Sequence, residues 1–119
     1  VSDAPRAPAS LESIREAIRA FVREREWEPF HDPKNLAMAV ASEAGELAAE
    51  LRWVKSDASD AWCEVPENRA RLADEIADVL ITTLMLADRA GIDPLEAMRD
   101  KLAKNAAKYP AERVRGTAG

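Results

Sequence analysis

The chain has 119 residues, 33% of them charged, with a net charge of −5 and a pI near 5.0. That length supports one domain around one core, and an acidic balance without a long basic cluster argues against tight binding to a nucleic-acid backbone. Charge interrupts every apolar stretch within a few residues, so no membrane span or signal peptide is expected. Cys63 is the only cysteine, which excludes an internal disulfide and fits a reducing cytoplasm.

Ala and Leu dominate, β-branched runs are absent, and aromatics make up only 5%. This composition predicts an all-α domain. Residues 1–9 carry two prolines and read as a flexible arm. Ser10 is positioned as a helix cap, and Leu11, Ile14, Ile18, Phe21 and Val22 mark an amphipathic first helix to about Glu26. Trp27-Glu28-Pro29-Phe30-His31 reads as a loop broken by proline. Asp32-Pro33 starts a second helix, predicted to run to about Lys55.

Residues 56–66 lack clear periodicity and read as a connection. A third helix is expected from Pro66 or Glu67 to about Ala90, with Gly91 as its stop. Asp93-Pro94-Leu95-Glu96 opens a fourth, whose buried side is predicted to be Leu95, Met98, Leu102 and Ala106. Tyr109-Pro110 ends it. The domain is thus placed at 10–112, four-helix-bundle-like, with 113–119 as a flexible tail. The third helix carries a stripe of Leu72, Ile76, Val79, Leu80 and Leu86, while Ala77, Ile81 and Met85 wrap onto other faces. A helix apolar nearly all round predicts a subunit interface.

Four acids stand out. Leu36, Val40, Leu47, Leu51 and Val54 share one face of the second helix, and Glu43 falls within roughly 20° of that stripe. A carboxylate there is expensive unless something cationic faces it. Glu46 lies about 60° round, on the stripe's edge. Glu75 and Asp78 repeat the i, i+3 spacing on the third helix, so two antiparallel helices can converge four carboxylates on one point. Such an oxygen-only set suits a hard divalent ion; Mg²⁺ keeps waters and binds substrate phosphate, with Mn²⁺ as a possible substitute. The bland alternative is a set of surface acids in ion pairs. Glu50, one turn on from Glu46, either joins the site or pairs with Arg or Lys, and Asp74 points away.

By pattern alone Trp27, Trp53 and Trp62 read as packing residues, and His31 as a structural or solvated loop histidine. Lys101, Lys104 and Lys108 read as a solvated basic face near a helix C-terminus, with Asn105 among them. Lys101, Lys104 and Asn105 are also placed to reach phosphates held by a metal. There is no Gly-rich phosphate loop, Ser-His-Asp set or zinc-type Cys/His cluster.

Glu43-x-x-Glu46, 28 intervening residues, then Glu75-x-x-Asp78 resembles the acidic signature of the MazG-like all-α nucleoside triphosphate pyrophosphohydrolases. The flanks Trp27 to Leu36, Glu43-Ala44-Gly45-Glu46-Leu47, Asp78-Val79-Leu80-Ile81 and Lys104-Asn105-x-x-Lys108-Tyr109-Pro110 are similar to its dCTP pyrophosphatase branch. The resemblance implies cleavage between the α and β phosphates of a nucleoside triphosphate. It makes Glu43, Glu46, Glu75 and Asp78 the Mg²⁺ ligands and catalytic acids, with Glu46 or Glu43 nearest the attacking water. It turns Trp27, His31 and Trp53 into base- and sugar-pocket residues and puts Lys101 and Asn105 on the nucleotide. Thr82 and Ile18 stand where that branch has Tyr and His near the nucleotide, which separates the reaction type from the choice of base. The family also implies an even-numbered homo-oligomer, a tetramer over a dimer. Rival readings are a pyrophosphohydrolase acting on dUTP, an oxidised nucleotide or phosphoribosyl-ATP, and a helical interaction module whose acids only make salt bridges.

Overall fold

A computed structural model describes residues 7–117. Helix α1 spans Leu11–Glu24, α2 Pro33–Leu51, α3 Ser59–Glu64, α4 Pro66–Arg89, α5 Pro94–Lys108 and α6 Ala111–Val114. Short 3₁₀ turns cover Glu28–Phe30 and Ser56–Ala58, and there is no strand among the described residues. The chain is all-α, as composition predicts.

The helix starts follow their capping chemistry. The Ser10 hydroxyl accepts from the Ser13 N–H at 3.0 Å, and the Ser10 N–H donates back to the Ser13 hydroxyl at 2.9 Å. Asp32 caps α2 by accepting from the Asn35 N–H at 2.8 Å, and Asp93 caps α5 through the N–H groups of Leu95 and Glu96. Each of these acceptors satisfies a donor that the first turn leaves without a partner.

Two helix ends use one stop motif with different residues. After α4, Gly91 takes φ 69°, its N–H reaches the Asp88 carbonyl, and the Ile92 N–H reaches Ala87 at 2.8 Å. After α1, Glu26 takes φ 53°, its N–H reaches Arg23, and the Trp27 N–H reaches Val22 at 3.2 Å. Both are Schellman stops. Glycine adopts the left-handed residue freely, whereas glutamate pays for its Cβ. This stop ends α1 at Glu24, two residues before the sequence estimate.

Two other boundaries also moved. Helix α2 ends at Leu51, not Lys55, because the Val54 N–H closes a tighter bond to the Leu51 carbonyl at 2.9 Å and Lys55 turns extended. The expected connection at 56–66 folds into a 3₁₀ turn and α3, where the Ser59 hydroxyl donates to the Ser56 carbonyl at 2.7 Å. Trp62 and Cys63 on α3 are half-buried, and α3 packs on α4. One and a half turns are too short to show a periodicity. Past Pro110, Arg113 and Val114 lie in a helical turn rather than a loose tail; residues 1–6, 118 and 119 lie outside the described residues.

Helix α4 is the spine. At 24 residues it is about 36 Å long, and α1, α2 and α3 all pack on it. Helix α2 runs antiparallel to it: Glu50 meets Arg71 at 3.2 Å, Glu43 meets Glu75 and Asp78, and Leu36 shares a cavity with Leu84. Leu36 is the one buried hydrophobic side chain among the described residues, at 3% exposure.

The exposed faces differ from the sequence reading. On α4, Ile81 and Met85 turn toward Ala17, Ile18 and Phe21 of α1. Ala77 is exposed, as expected, and so are Ile76 and Leu80, the latter 58% exposed. On α5, the predicted buried side is in solvent: Leu95, Met98, Leu102 and Ala106 are all exposed, because α5 makes no extended packing contact with any other helix. The radius of gyration is 17.9 Å, against about 13.5 Å for a compact chain of this length.

Candidate active site

The antiparallel register of α2 and α4 puts the acids where their spacing predicts. Carboxylate oxygens of Glu43, Glu75 and Asp78 lie within 4.8 Å of one another. Glu46 borders this trio, within hydrogen-bonding reach of the Glu43 carboxyl and near enough to Glu75 for its charge to be felt. Glu43 and Glu75 are half-buried; Glu46 and Asp78 are exposed.

The inner oxygens decide what this cluster fits. Oε2 of Glu43 and Oε2 of Glu75 are buried and accept no hydrogen bond. Buried acceptors without partners are uncommon and costly. Desolvation pushes the Glu43 carboxyl above its ordinary range, with the charges of Glu46 and Asp78 adding to it. Glu75 is pushed up the same way, by desolvation first, then by Glu46, Asp78, Glu50 and Asp74. Like charges crowded round two unpartnered oxygens fit a hard divalent cation, which would relieve both penalties at once.

Glu50 resolves as an ion-pair residue. It meets Arg71 at 3.2 Å, one turn of α4 before Glu75. Asp74 is exposed, as expected, yet its charge still reaches Glu75.

The remaining predicted residues fall into separate places. Trp27 and His31 sit together beyond α1, with ring centroids 6.1 Å apart and Phe21 edge-on to Trp27 at 5.7 Å. The turn that holds them is fixed at both sides: Asn35 Nδ2 donates to the Phe30 carbonyl at 3.2 Å and Arg89 Nη1 to the Glu28 carbonyl at 2.9 Å. Trp53 lies just past the end of α2, 86% exposed, with the Arg52 guanidinium 5.3 Å from its ring. Thr82 is half-buried, but its hydroxyl donates back to the Asp78 carbonyl at 2.9 Å, so its polar atom serves the helix. Lys101 and Lys104 are exposed on α5, with no ion pair among the described residues, and Asn105 is half-buried. Helix α5 makes no extended packing contact with the acids' helices, and Lys101, Lys104 and Asn105 are not among the residues gathered with the carboxylates.

Sequence reading missed a second feature. A cavity of about 210 Å³ opens between α1, α4 and the Glu28–Phe30 turn. Its lining combines the apolar Ile18, Val22, Leu36 and Met85 with the polar Arg15, Arg19, Arg89, Asp88 and His31. Arg19 Nε donates to Asp88 Oδ1 at 2.7 Å, joining α1 to α4. The signal was present as Arg15, Arg19 and Arg23 at four-residue spacing on α1, but charges on a surface helix face are too common to single out.

Comparisons with known proteins point to one group. The profile of the MazG-like family matches residues 41–118, a span that contains all four acids. The chain is 43% identical over 112 residues to dCTP pyrophosphatase 1 of Rattus norvegicus, covering 92% of this chain and 64% of that protein. It is 40% identical over 111 residues to dCTP pyrophosphatase 1 of Homo sapiens, covering 91% and 64%. The chain therefore spans a little under two thirds of the length of these curated relatives. A crystal structure of a pyrophosphatase from Archaeoglobus fulgidus DSM 4304 superimposes with a TM-score of 0.80 at 36% identity, covering 91% of this chain and 99% of that one. By profile, sequence and fold alike, the chain belongs to the MazG-like family.

Proposed function

We propose that the chain is a Mg²⁺-dependent nucleoside triphosphate pyrophosphohydrolase that cleaves dCTP or a modified dCTP to the monophosphate and pyrophosphate. The observation that carries this reading is the convergence of Glu43, Glu75 and Asp78, with Glu46 beside them, round two buried oxygens that lack partners. The names of the relatives, dCTP pyrophosphatase 1 and a pyrophosphatase, support the substrate class and the bond cut.

Glu43, Glu46, Glu75 and Asp78 would hold the Mg²⁺, or Mn²⁺ in its place. When bound, the ion supplies charge neutralisation of the triphosphate and polarisation at phosphorus. The chain's own residues do the rest. Glu43 or Glu46, neighbours one turn apart on α2 whose charges act on each other, orients the attacking water and takes its proton. Trp27 and His31 bind the nucleoside, and Trp53 adds a stacking surface.

The protein works as a homo-oligomer, a tetramer in preference to a dimer. Its accessible surface is 9433 Å², against about 6,400 Å² for a folded monomer of its mass. A stable interface removes about 800 Å² per partner, so the excess is enough for more than one. Ile76, Leu80, Leu95, Met98 and Leu102 form the apolar surface to be covered. Docking of α5 on another copy would bring Lys101, Lys104 and Asn105 to phosphates held at that copy's acids. No helix among the described residues is long and apolar enough to cross a membrane, and nucleotide-pool control in the cytoplasm fits a single free thiol at Cys63.

The test is a panel of natural and modified dNTPs with Mg²⁺, scored separately for pyrophosphate and orthophosphate. Pyrophosphate release that Glu75→Gln abolishes is expected. Orthophosphate as the first product, or activity unchanged in Glu75→Gln, would overturn the assignment.

A further inference from the structure

The face of α4 that carries the acids also carries a cation. Arg71, Glu75 and Asp78 follow one another at steps of four and three residues, and on α2 Glu50, Glu46 and Glu43 step back by the same intervals. The antiparallel register lays these six out as rungs across one seam. Two rungs set carboxylate against carboxylate, Glu43 feeling the charge of Asp78 and Glu75 that of Glu46. The third joins Glu50 to Arg71 at 3.2 Å. Glu50 is near enough to Glu75 for its charge to be felt, so this rung is continuous with the acid cluster.

Arg71 is held in place without being used up. Its Nε donates to Glu50 Oε2 at 3.2 Å and its Nη2 to Asn68 Oδ1 at 2.8 Å. Asn68 is itself tied to α3, since its Nδ2 donates to the Trp62 carbonyl at 3.1 Å. Two anchored nitrogens fix the plane of a guanidinium, and with it the third. Nη1 has no acceptor among the described residues, and the Arg71 side chain is 55% exposed against 22% for Glu50. An ion pair this open contributes little to stability. It does supply a fixed cation with N–H groups left over for an anion.

Position says which anion. Arg71 precedes Glu75 by one turn, about 6 Å along α4. Trp27 and His31, which bind the nucleoside in the reading above, belong to a turn held at the other end of that helix. There Arg89 Nη1 donates to the Glu28 carbonyl, about 16 Å past Asp78. The acids lie between. A triphosphate with its nucleoside at Trp27 and its α-phosphorus at the acids runs its β and γ phosphates out toward Arg71. Those two phosphates are the leaving group. Lys101 and Lys104 stand on α5, outside this seam.

We infer that Arg71 is the leaving-group residue: its outer N–H groups grip the pyrophosphate half of the triphosphate, while Glu50 and Asn68 brace the guanidinium. This role rests on the pyrophosphohydrolase reading above. As the oxygen of water bonds to the α-phosphorus, the bond from that phosphorus to the bridging oxygen breaks, and its electron pair passes to the pyrophosphate. A fixed cation at that end offsets the charge that gathers there. Arg71 thereby also tells a triphosphate from a diphosphate, which has no γ phosphate to offer it.

Isothermal titration of inorganic pyrophosphate and of dCMP, each with Mg²⁺, into wild type, Arg71→Ala, Arg71→Lys and Glu50→Gln tests the role. Pyrophosphate affinity should fall roughly 10- to 100-fold in Arg71→Ala, the effect of one charged hydrogen bond, and less in Arg71→Lys, with dCMP affinity kept. Glu50→Gln removes the competing negative charge and should leave pyrophosphate affinity equal or higher. In kinetics, Arg71→Ala should lower kcat/KM for dCTP by the same factor, and less for dCDP, whose leaving group is orthophosphate. If Arg71 only staples α2 to α4, the two halves of the pair are equivalent. Glu50→Gln and Arg71→Ala would then weaken pyrophosphate and dCMP alike, and that result overturns the inference. So would wild type that cuts dCDP as readily as dCTP, a result that needs no variant to fold. Pyrophosphate release from dCTP, with Arg71→Ala binding pyrophosphate as wild type does, refutes this role alone; a wild type that turns over no dNTP removes the reaction and this role with it.

Discussion

Truncating Leu102 on α5 tests whether its apolar face is an interface. Leu102 is 68% exposed in the single chain. Full burial of a leucine side chain contributes about 1.5–3 kcal/mol, so covering the exposed two thirds is worth about 1–2 kcal/mol per copy. A two-fold interface carries the residue twice, and Leu102→Ala should weaken a dimer contact by about 2–4 kcal/mol. That is roughly a 30- to 700-fold rise in the dissociation constant. Light scattering after size-exclusion chromatography, run over a dilution series, reads it as a shift of the dissociation midpoint. Leu102 lies on no packed helix face of its own chain, so the protomer's helical content should be unchanged by circular dichroism. An unchanged midpoint in Leu102→Ala, with Leu80→Glu also assembling normally, would refute the argument that these exposed faces are covered by other copies.

Four further outcomes follow from the geometry. Glu75→Gln should abolish turnover and Mg²⁺-dependent thermal stabilisation while raising the stability of the metal-free protein, because it removes a charge from a crowded, desolvated group; a less stable metal-free variant would contradict this. The sign with pH is set by the same crowding: Glu43 and Glu75 hold protons more tightly folded than unfolded, so metal-free stability should fall as pH rises from the ordinary glutamate range through their raised pKa values, and thermal melts with saturating Mg²⁺ should show a flatter profile. Glu26→Gly should raise stability by about 1 kcal/mol by relieving the left-handed residue, while Gly91→Ala should lower it by a similar amount; equal effects of either sign in thermal denaturation would remove the strain argument. Trp27→Ala and Trp53→Ala should each raise KM, since stacking contributes about 1–3 kcal/mol per base, and an unchanged KM in both makes them packing residues.

The acid cluster was legible because it depends only on helical periodicity. Glu43 lies in an apolar stripe, Glu75 and Asp78 repeat the spacing, and two antiparallel helices must bring them together. Helix starts were legible for a related reason: Ser10, Asp32 and Asp93 act on donors within three residues of themselves. The stop at Glu26 was not, since nothing local marks a glutamate that will take a left-handed conformation. Nor was α3, whose turn and a half is held by packing against α4 rather than by a repeat. The outward faces were misassigned because periodicity tells which residues share a side, not which neighbour lies there: Ile81 and Met85 met α1, and Ile76 and Leu80 met none. The arginine cavity needed three dimensions, since Arg15, His31, Leu36 and Asp88 come from four separate segments.

That Leu36 is the lone buried hydrophobic side chain among the described residues also bears on how the protein comes into being. A newly made chain can close α2 against α4 unaided, but one buried leucine does not offset the entropy of ordering over a hundred residues. In the homo-oligomer proposed above, acquisition of the native state would be a bimolecular event, its half-time shortening as chain concentration rises. During the interval before encounter, the amides of α5 would exchange with solvent freely while those at the α2–α4 seam are already slowed.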